Sequence, residues 1–239
     1  MRGVILAGGK GTRLYPLTKV TNKHLLPVGY EPMIFHCVRQ LADAGLGEIL
    51  VVTSTEHMGD IVSALGSGRE FGVNLTYRVQ EDAGGIAHAL ALAETFSAGE
   101  PIAVLLGDNI FASPLAPFVQ RFREAPKGAR VLLKRVSDPE RYGVAALDEQ
   151  HIVSIEEKPS QPKSDYAVIG FYQYDEAVFD VIRGIRPGAR GELEITSVNS
   201  VYLAREQLGY DVYDGAWTDA GTFESYLLAN QMMAPLPKT

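Results

Sequence analysis

Short apolar runs alternate with stretches of helical periodicity through the first half of this chain. The runs that read as buried strands are 3–6, 48–53, 74–79 and 102–106. Apolar residues recur at helical spacing over 33–41, 60–65 and 85–94. This alternation predicts an α/β fold, in which a mostly parallel, Rossmann-like sheet is wrapped by helices.

The second half of the chain is richer in strands. Closely spaced apolar runs occupy 131–133, 143–147, 152–155 and 166–172. Helical spacing returns over 178–185, 195–202 and 221–232. No linker rich in Gly, Pro or Ser separates the halves, so the sequence predicts one domain over residues 1–239, with halves at 1–111 and 112–239.

The loop after the first strand combines glycines with cations in the stretch Leu6-Ala7-Gly8-Gly9-Lys10-Gly11-Thr12-Arg13. Open α/β sheets bind ligands at the carboxyl ends of their strands. Glycines let the backbone pass close to a ligand, so that N–H groups can point at phosphate oxygens while Lys10 and Arg13 add positive charge. The loop therefore predicts a nucleoside triphosphate site; a tight turn with solvated cations is the alternative.

The distribution of charge supports a small anionic ligand. Net charge is −7, which opposes general binding to nucleic acid or to an anionic membrane surface. Yet the first thirty residues hold five Lys and Arg side chains and neither Asp nor Glu. A membrane span needs about 18 consecutive apolar residues, and no run in the sequence is that long. Cys37 is the only cysteine, so no intrachain disulfide can form. Together these features predict a cytoplasmic protein. The apolar neighbours of Cys37 predict a buried side chain.

Two aspartates are candidate metal ligands. Asp108 follows a buried strand, so its carboxylate is expected at the carboxyl edge of the sheet beside the glycine-rich loop. Mg²⁺ prefers one or two carboxylates together with phosphate oxygens. The second candidate is Asp219, in Trp217-Thr218-Asp219-Ala220-Gly221-Thr222. Taken alone, an Asp before Ala-Gly-Thr more often caps the following helix than binds a metal.

Other polar residues at strand ends are compatible with ligand contacts. Gln80 ends the third strand, and its planar amide suits the edge of a pyrimidine. Glu157 and Lys158 offer an acceptor for sugar hydroxyls and a cation for a phosphate, although such a strand end is often merely solvated. Because Pro159 follows Lys158, an extended backbone is predicted for that lysine. The histidines show no metal-ligand spacing.

A longer pattern extends beyond the loop. The stretch from Leu6 to Thr18 fits LxxGxGTRLxPLT and continues as Lys23-His24-Leu25-Leu26-Pro27-Val28. With it, the chain resembles the sugar-1-phosphate nucleotidylyltransferases over about 3–230, and within them looks most like the glucose-1-phosphate thymidylyltransferases. Neither a Walker A loop nor a dinucleotide fingerprint fits the glycine spacing.

The resemblance implies roles for particular residues. Nucleotide binding is implied for Leu6, Gly8, Gly9, Gly11, Thr12, Arg13, Gln80, Gly85 and Asp108. Sugar-phosphate binding is implied for Lys23, Asn109, Tyr142, Gly143, Glu157, Lys158, Val168 and Arg190. Mg²⁺ is implied at Asp108 and Asp219, and a catalytic role at both of them and at Arg13, Lys23 and Lys158. The first half would then bind the nucleotide and the second the sugar.

The resemblance also implies the reaction, in which dTMP is transferred from dTTP to glucose 1-phosphate, giving dTDP-glucose and pyrophosphate. UTP or another sugar phosphate is an alternative within the class, and a kinase or a sugar-nucleotide-binding module without activity lies outside it. One departure is Gly84-Gly85-Ile86-Ala87-His88-Ala89, where the family often has Asp-Gly-Leu-Ala-Gln-Ala. Larger members continue with C-terminal helices that contribute to subunit contacts and a feedback site, so feedback is doubtful here and a homo-oligomer is left open.

Overall fold

The structure, a computed structural model, describes residues 1–149, 151–188 and 191–234. Its strands are β1 (Arg2–Ala7), β2 (Pro27–Val28), β3 (Glu31–Pro32), β4 (Glu48–Ser54), β5 (Asn74–Gln80), β6 (Ile102–Leu106), β7 (Asn109–Phe111), β8 (Ala129–Arg135), β9 (Gly143–Asp148), β10 (His151–Glu157), β11 (Tyr166–Tyr174), β12 (Leu208–Val212) and β13 (Trp217–Asp219). Its α-helices are α1 (Met33–Asp43), α2 (Met58–Leu65), α3 (Ile86–Ala91), α4 (Glu94–Ser97), α5 (Ala116–Glu124), α6 (Val178–Gly184), α7 (Ile195–Ala204) and α8 (Phe223–Met233).

The chain forms two compact units, each assembled from separate segments. Unit 1 comprises Met1–Arg2, Gly84–Val104 and Phe118–Asp214. Unit 2 comprises Gly3–Ala83, Leu105–Pro117 and Gly215–Thr239, of which the structure describes residues up to 234. Each unit is described separately below.

Parallel strands form the sheet of unit 2. β1 pairs with β4 and β4 pairs with β5, all in parallel, with α1 and α2 as the helical crossovers. The central strand β4 is buried from Ile49 to Val52, which explains its continuous apolar run, whereas β5 alternates between more and less exposed residues. Because the strands are parallel, the loops after β1 and β4 and the last residue of β5 lie at the same edge of the sheet.

Unit 1 has a more antiparallel arrangement. β11 pairs antiparallel with β8 and with β9, β9 pairs antiparallel with β10, and β12 pairs parallel with β8. α7 packs against β10. Buried tyrosines also join α7 to the end of β11: the hydroxyl of Tyr174 donates to Oδ1 of Asn199 at 2.7 Å, and that of Tyr202 donates to Oδ1 of Asp175 at 2.7 Å.

The predicted α/β class is confirmed, and most predicted elements exist. The helix expected over 85–94 is divided into α3 and α4. The sequence analysis does not predict α5, β2, β3, β7, β12 or β13. Of these, β2, β3, β7 and β13 have two or three residues each, too few to show a hydrophobic period. The side chain of Cys37 is fully buried, as predicted. Over the described residues, no helix combines the length and apolar character needed to cross a bilayer.

The backbone of Lys158 departs from its prediction. Proline at 159 predicts an extended lysine, but φ of Lys158 is +44°, in the left-handed region. The N–H of Lys158 donates to the carbonyl of Tyr142 at 2.9 Å just after β10 ends. This hydrogen bond outweighs the local preference and turns the chain there.

Candidate functional site

The glycine-rich loop of unit 2 leaves the end of β1 and enters a single 3₁₀ turn at Thr12–Leu14. Gly11 has φ +62°, and a β-carbon there would lie 2.8 Å from Cγ2 of Thr18 and 3.1 Å from Cβ of Lys23. The hydroxyl of Thr18 donates to the carbonyl of Gly11 at 3.0 Å. Glycine is therefore required at 11 both for its φ and for the close approach of the segment that carries Lys23.

Gly8 and Gln80 meet at the carboxyl edge of the unit 2 sheet. A β-carbon at residue 8 would lie 2.9 Å from Oε1 of Gln80. Leu6 is 7% exposed at the end of β1, and Gly9, with φ +98°, is exposed. Gly8 and Gln80 are thus neighbours, and the role of these residues in nucleotide binding stays a prediction.

Lys23 and Asn109 both contact the carboxylate of Asp108. Nζ of Lys23 lies 2.6 Å from its Oδ2, and both side chains are largely buried. Nδ2 of Asn109 donates to its Oδ1 at 2.9 Å. Burial opposes ionisation, but the charge and hydrogen bond of Lys23 and the hydrogen bond from Asn109 together hold the pKa of Asp108 well below its usual range. Asp108 is therefore a carboxylate at neutral pH.

His24, next to Lys23, is buried and neutral. Its backbone N–H lies 2.8 Å and its ring Nδ1 2.7 Å from Oδ1 of Asn22, so Nδ1 carries the proton. Burial, followed by the positive charge of Lys23, lowers the pKa of His24 to about 3. His24 therefore adds no positive charge beside Lys23 at neutral pH.

Strand pairing brings Asp219 to Asp108. β13 pairs antiparallel with β7, with Asp219 opposite Asn109, and the N–H of Ala220 donates to the carbonyl of Asp108 at 2.7 Å. A β-carbon on Gly221 would lie 3.7 Å from Oδ2 of Asp219 and 3.8 Å from Oδ2 of Asp108. The two carboxylates, distant in sequence, therefore border the same space.

Arg13 reaches the same space from the glycine-rich loop. Its Nη2 would lie 3.3 Å from that β-carbon on Gly221. The N-cap of α8 is Thr222 rather than Asp219: the side chain of Thr222 accepts a hydrogen bond from the N–H of Ser225. Asp219 is thus not required as a helix cap.

The donor set fits Mg²⁺ held jointly with a phosphate. Across 1–149, 151–188 and 191–234, no group of three or more His, Cys, Asp and Glu side chains is arranged to hold a metal ion. Asp108 and Asp219 supply two carboxylates, and glycine at 221 leaves open the space beside them. Two carboxylates with phosphate oxygens completing the coordination is the usual way in which proteins bind Mg²⁺ with a nucleotide.

A second group of predicted residues converges within unit 1. Gly143 pairs with Glu157 of β10 on one side and with Val168 of β11 on the other. A β-carbon on Gly143 would lie 3.1 Å from Oγ1 of Thr196, 3.7 Å from Oε2 of Glu157 and 3.8 Å from Cβ of Val168. The hydroxyl of Thr196, in the first turn of α7, donates to Oε2 of Glu157 at 2.6 Å. Glycine at 143 therefore leaves room beside a carboxylate that is held in one orientation.

Lys158 and Tyr142 adjoin this group. The ammonium of Lys158 lies 3.7 Å from Oε1 of Glu157, and its side chain is 46% exposed, so the amine is accessible. The carbonyl of Tyr142 holds the backbone of Lys158, as described above. Gly85 also lies in unit 1, where a β-carbon would be 2.5 Å from the carbonyl oxygen of Leu193. Arg190 lies outside the described residues.

Some residues at these sites were missed by sequence reasoning. Thr18 lies inside the LxxGxGTRLxPLT pattern, and Thr196 follows Glu-Leu-Glu-Ile, so both were within motifs but carried no chemical signal of their own. Trp217 was noted only as the boundary of the Asp219 motif. Its indole N–H donates to Oδ1 of Asn109 at 2.8 Å, a contact between residues far apart in sequence.

Comparisons with known proteins identify the family. The family model described as "Nucleotidyl transferase" matches residues 2–234. The chain belongs to this family. As a nucleotidyl transferase it is an enzyme, and the family predicted from the glycine-rich pattern is confirmed. A glucose-1-phosphate thymidylyltransferase of Mycolicibacterium smegmatis is 44% identical over 237 residues, covering 98% of this chain and 82% of the relative. One of Neisseria gonorrhoeae is 44% identical over 231 residues, covering 94% of this chain and 80% of the relative.

Solved structures agree with this nucleotidyl transferase fold. A crystal structure from Bacillus anthracis of a candidate glucose-1-phosphate thymidylyltransferase in complex with sucrose superposes with a TM-score of 0.95 at 54% identity, covering 100% of this chain and 97% of that one. A UDP-glucose pyrophosphorylase complexed with UDP-glucose superposes with a TM-score of 0.85 at 26% identity, covering 96% and 97%. The shared fold therefore accommodates enzymes named for different nucleotides.

Proposed function

We propose that this nucleotidyl transferase is a glucose-1-phosphate thymidylyltransferase, which transfers dTMP from dTTP to glucose 1-phosphate and releases pyrophosphate. The observation that carries the proposal is the common space bordered by Asp108, Asp219 and Arg13 beside the glycine-rich loop. Two carboxylates and a guanidinium around one space suit a metal-bound triphosphate. Relatives that match nearly the whole chain bear this name.

The proposed chemistry is a single displacement. A phosphate oxygen of glucose 1-phosphate attacks the α-phosphorus of dTTP, and the bond from that phosphorus to the bridging oxygen breaks, so pyrophosphate leaves with the electron pair. The nucleophile is already an anion at neutral pH, so little general-base assistance is needed. Catalysis then depends on alignment and on stabilising negative charge.

The residues of unit 2 would act on the nucleotide. N–H groups of the loop around Gly8, Gly9 and Gly11 would bind phosphate oxygens, and Gln80 would contact the base. Asp108 and Asp219 would hold Mg²⁺, which when bound neutralises charge on the phosphates. Arg13 would stabilise the departing pyrophosphate. Lys23 holds Asp108 in the described structure, and a further contact of its ammonium with the sugar phosphate is part of the proposal.

The residues of unit 1 would act on the sugar phosphate. Glu157 would accept hydrogen bonds from sugar hydroxyls, and the absence of a side chain at Gly143 leaves space beside this carboxylate. The ammonium of Lys158 would pair with the phosphate. Further proposed contacts to the sugar phosphate come from Tyr142, Val168 and Arg190 and, as an exception, from Asn109 of unit 2. Leu6 and Thr12 of unit 2 and, as an exception, Gly85 of unit 1 would contact the nucleotide.

The primary experiment measures pyrophosphate release from dTTP or UTP with glucose 1-phosphate, with and without Mg²⁺. We expect Mg²⁺-dependent release with dTTP and formation of dTDP-glucose, identified by mass. Preference for UTP would reassign the nucleotide; a thymine methyl contributes only about 1–3 kcal/mol to such discrimination. Release of a nucleoside diphosphate would indicate a kinase, and nucleotide binding without turnover would indicate a binding module.

A matched pair of variants tests the loop cation. Arg13→Ala should lower kcat at least about 100-fold, since the guanidinium would act on charge that develops in the transition state, while KM for glucose 1-phosphate changes little. Lys19→Ala, an exposed cation shortly after the loop, is the control and should keep wild-type turnover. Wild-type kcat in Arg13→Ala would remove Arg13 from the proposed mechanism.

A further inference from the structure

Trp217 makes a buried hydrogen bond beside the candidate metal site. It is the only tryptophan in the chain and is 8% exposed. Its indole N–H donates to Oδ1 of Asn109 at 2.8 Å, and Asn109 is 4% exposed. With both partners buried, water does not compete efficiently for this hydrogen bond, so the contact between them is persistent.

This hydrogen bond determines the direction of the Asn109 amide. An indole nitrogen is a donor only, so the atom of Asn109 that faces it must be the amide oxygen. The amide nitrogen then faces the opposite way, where it donates to Oδ1 of Asp108 at 2.9 Å. If the amide were reversed, two oxygens with partial or full negative charge would face each other at Asp108.

The carboxylate of Asp108 is held from two sides, with one oxygen toward Asn109 and the other toward Lys23. Its Oδ1 accepts from Asn109, and its Oδ2 lies 2.6 Å from Nζ of Lys23 and borders the space beside Gly221. Three hydrogen bonds therefore run in sequence from the indole through the amide to the carboxylate and the ammonium. Such networks position an ionised group more firmly than any one contact does.

The strands that carry these residues are also in register. Trp217 and Asp219 are both on β13, which pairs with β7, and Asn109 is opposite Asp219. Trp217 and Asp219 are two residues apart on this strand, so their side chains lie on the same face. The strand pair that brings the two aspartates together thus also brings the indole to Asn109.

We infer that Trp217 is a positioning residue, which sets the orientation of the Asp108 carboxylate through Asn109 and thereby determines how tightly the site binds a divalent cation with a nucleotide. The inference rests on the proposed function, because it takes Asp108 as a metal ligand. Removing only the indole N–H should leave the fold intact and weaken metal binding. Groups that orient metal ligands typically contribute about 10-fold to 100-fold to metal affinity.

Because Trp217 is the only tryptophan in the sequence, a tryptophan analogue can replace its indole N–H without changing any other residue. Growth on 3-benzothienyl-L-alanine replaces Trp217 alone with an isostere in which sulfur takes the place of the N–H. Growth on 5-fluorotryptophan replaces the same residue but keeps the N–H donor, and serves as the incorporation control. Mn²⁺ binding in the presence of dTTP, without sugar phosphate, is measured by electron paramagnetic resonance; Mg²⁺ dependence of pyrophosphate release is measured separately.

A second control separates positioning from general destabilisation. Tyr174→Phe in unit 1 also removes one buried donor to the side-chain oxygen of an asparagine, Asn199, but this pair is not part of the hydrogen-bond series from Trp217 to Lys23. We expect at least about 10-fold weaker Mn²⁺ binding in the benzothienyl protein, and wild-type binding in the fluorotryptophan protein and in Tyr174→Phe. Thermal unfolding measures the stability of these three proteins. If the benzothienyl protein does not fold, Trp217→Phe, which also lacks the N–H, takes its place in the comparison of Mn²⁺ affinities.

The outcomes are distinguishable from those for the proposed function. Mn²⁺ binding within twofold of wild type in the proteins that lack the N–H would overturn the inference, whatever the turnover. Equal weakening in Tyr174→Phe would also overturn it, because the effect would then follow stability rather than the indole. If wild-type protein binds Mn²⁺ with dTTP but releases no pyrophosphate, the proposed reaction fails while the comparison of Mn²⁺ affinities still decides the role of Trp217.

Discussion

Oδ2 of Asp108 and Oδ2 of Asp219 both lie within 3.8 Å of one point, the position that a β-carbon would take on Gly221. The two aspartates are more than a hundred residues apart in sequence, and they meet because β7 and β13 pair with Asn109 opposite Asp219. The absence of a side chain at 221 therefore preserves the space that these carboxylates share.

Gly221→Ala should weaken metal-dependent activity without unfolding the protein. Gly221 does not have a positive φ, so alanine introduces no backbone strain there, and the nearest atom is the flexible end of Arg13 at 3.3 Å. We expect the free energy of unfolding to change by less than about 1 kcal/mol and the Mg²⁺ concentration for half-maximal pyrophosphate release to rise about 10-fold.

The matched control for that substitution is Gly47→Ala. Gly47 also lacks a positive φ, and no atom lies within 4 Å of the position of its β-carbon. It should reproduce any general effect of replacing glycine by alanine while keeping wild-type Mg²⁺ dependence. The same Mg²⁺ dependence in both variants would mean that the space beside Gly221 does not receive the metal or its phosphate.

Replacing Thr196 should weaken the binding of the sugar phosphate more than the binding of the nucleotide. Its hydroxyl donates to Oε2 of Glu157 at 2.6 Å and so fixes the carboxylate proposed to bind sugar hydroxyls. Thr196→Val keeps the shape but removes the donor. We expect KM for glucose 1-phosphate to rise about 10-fold, equivalent to about 1.4 kcal/mol, with KM for dTTP unchanged, as measured by steady-state kinetics with each substrate varied.

Thr196→Ser is the conservative partner of that variant. Serine keeps the donor and should restore most of the sugar-phosphate affinity. Parallel increases in both KM values for Thr196→Val, or no recovery with serine, would argue for loss of packing of α7 on β10 rather than for misorientation of Glu157.

Lys158 has a strained left-handed backbone and an accessible side-chain amine, and its replacement should therefore change both stability and activity. A lysine at φ +44° costs about 1–2 kcal/mol relative to glycine at the same backbone position. Lys158→Gly should therefore unfold at a higher temperature than Lys158→Ala, since both lack the ammonium but only alanine keeps the strain. Both variants should lose activity toward glucose 1-phosphate by about 100-fold or more if the ammonium pairs with the phosphate.

Thermal unfolding and steady-state kinetics on the two variants test these effects separately. Near-equal stability of Lys158→Gly and Lys158→Ala would mean that the left-handed conformation is relieved in solution. Wild-type turnover in either variant would contradict the assigned role of the ammonium, independently of the stability result.

Sequence patterns predicted much of unit 2 and less of the contacts within the sites. Continuous apolar runs such as 48–53 predict the parallel strands, and the position of the glycine-rich loop at their carboxyl edge follows from that fold. The approach of Asp219 to Asp108 was inferred from the family resemblance, because a three-residue strand like β13 has too few residues to show a period. Local rules also failed at Lys158, where a hydrogen bond to Tyr142 outweighs the preference imposed by Pro159.

The contacts that sequence could not predict are those between side chains distant along the chain. Nothing local distinguishes Thr196 from a solvated helix residue, and nothing local links Trp217 to Asn109, since each hydrogen bond requires the folded sheet to exist first. Family patterns identify which residues matter, whereas the orientation of a carboxylate is determined by tertiary packing.

Because His24 is buried in its neutral form, we expect the folded protein to lose stability as the pH falls. Burial and Lys23 lower the pKa of His24 to about 3, while in the unfolded chain it is about 6.5. The unfolded state therefore binds an extra proton below about pH 6.5, so the contribution of His24 to stability is fully present above that pH and is lost as pH falls toward 3. Between pH 7 and pH 5 we expect this residue alone to reduce the free energy of unfolding by about 2 kcal/mol.

His24→Asn tests this directly by denaturant unfolding at pH 7, 6 and 5. The asparagine amide can take the place of Nδ1 and keep a donor toward Asn22, but it does not titrate. The variant should lose less stability over this range than wild type, so the difference between the two proteins narrows as pH falls. His151→Asn, at an exposed position, is the control and should parallel wild type. Parallel curves for His24→Asn and wild type would show instead that the folded protein accommodates a charged His24, with the nearby Asp108 carboxylate offsetting burial and the charge of Lys23.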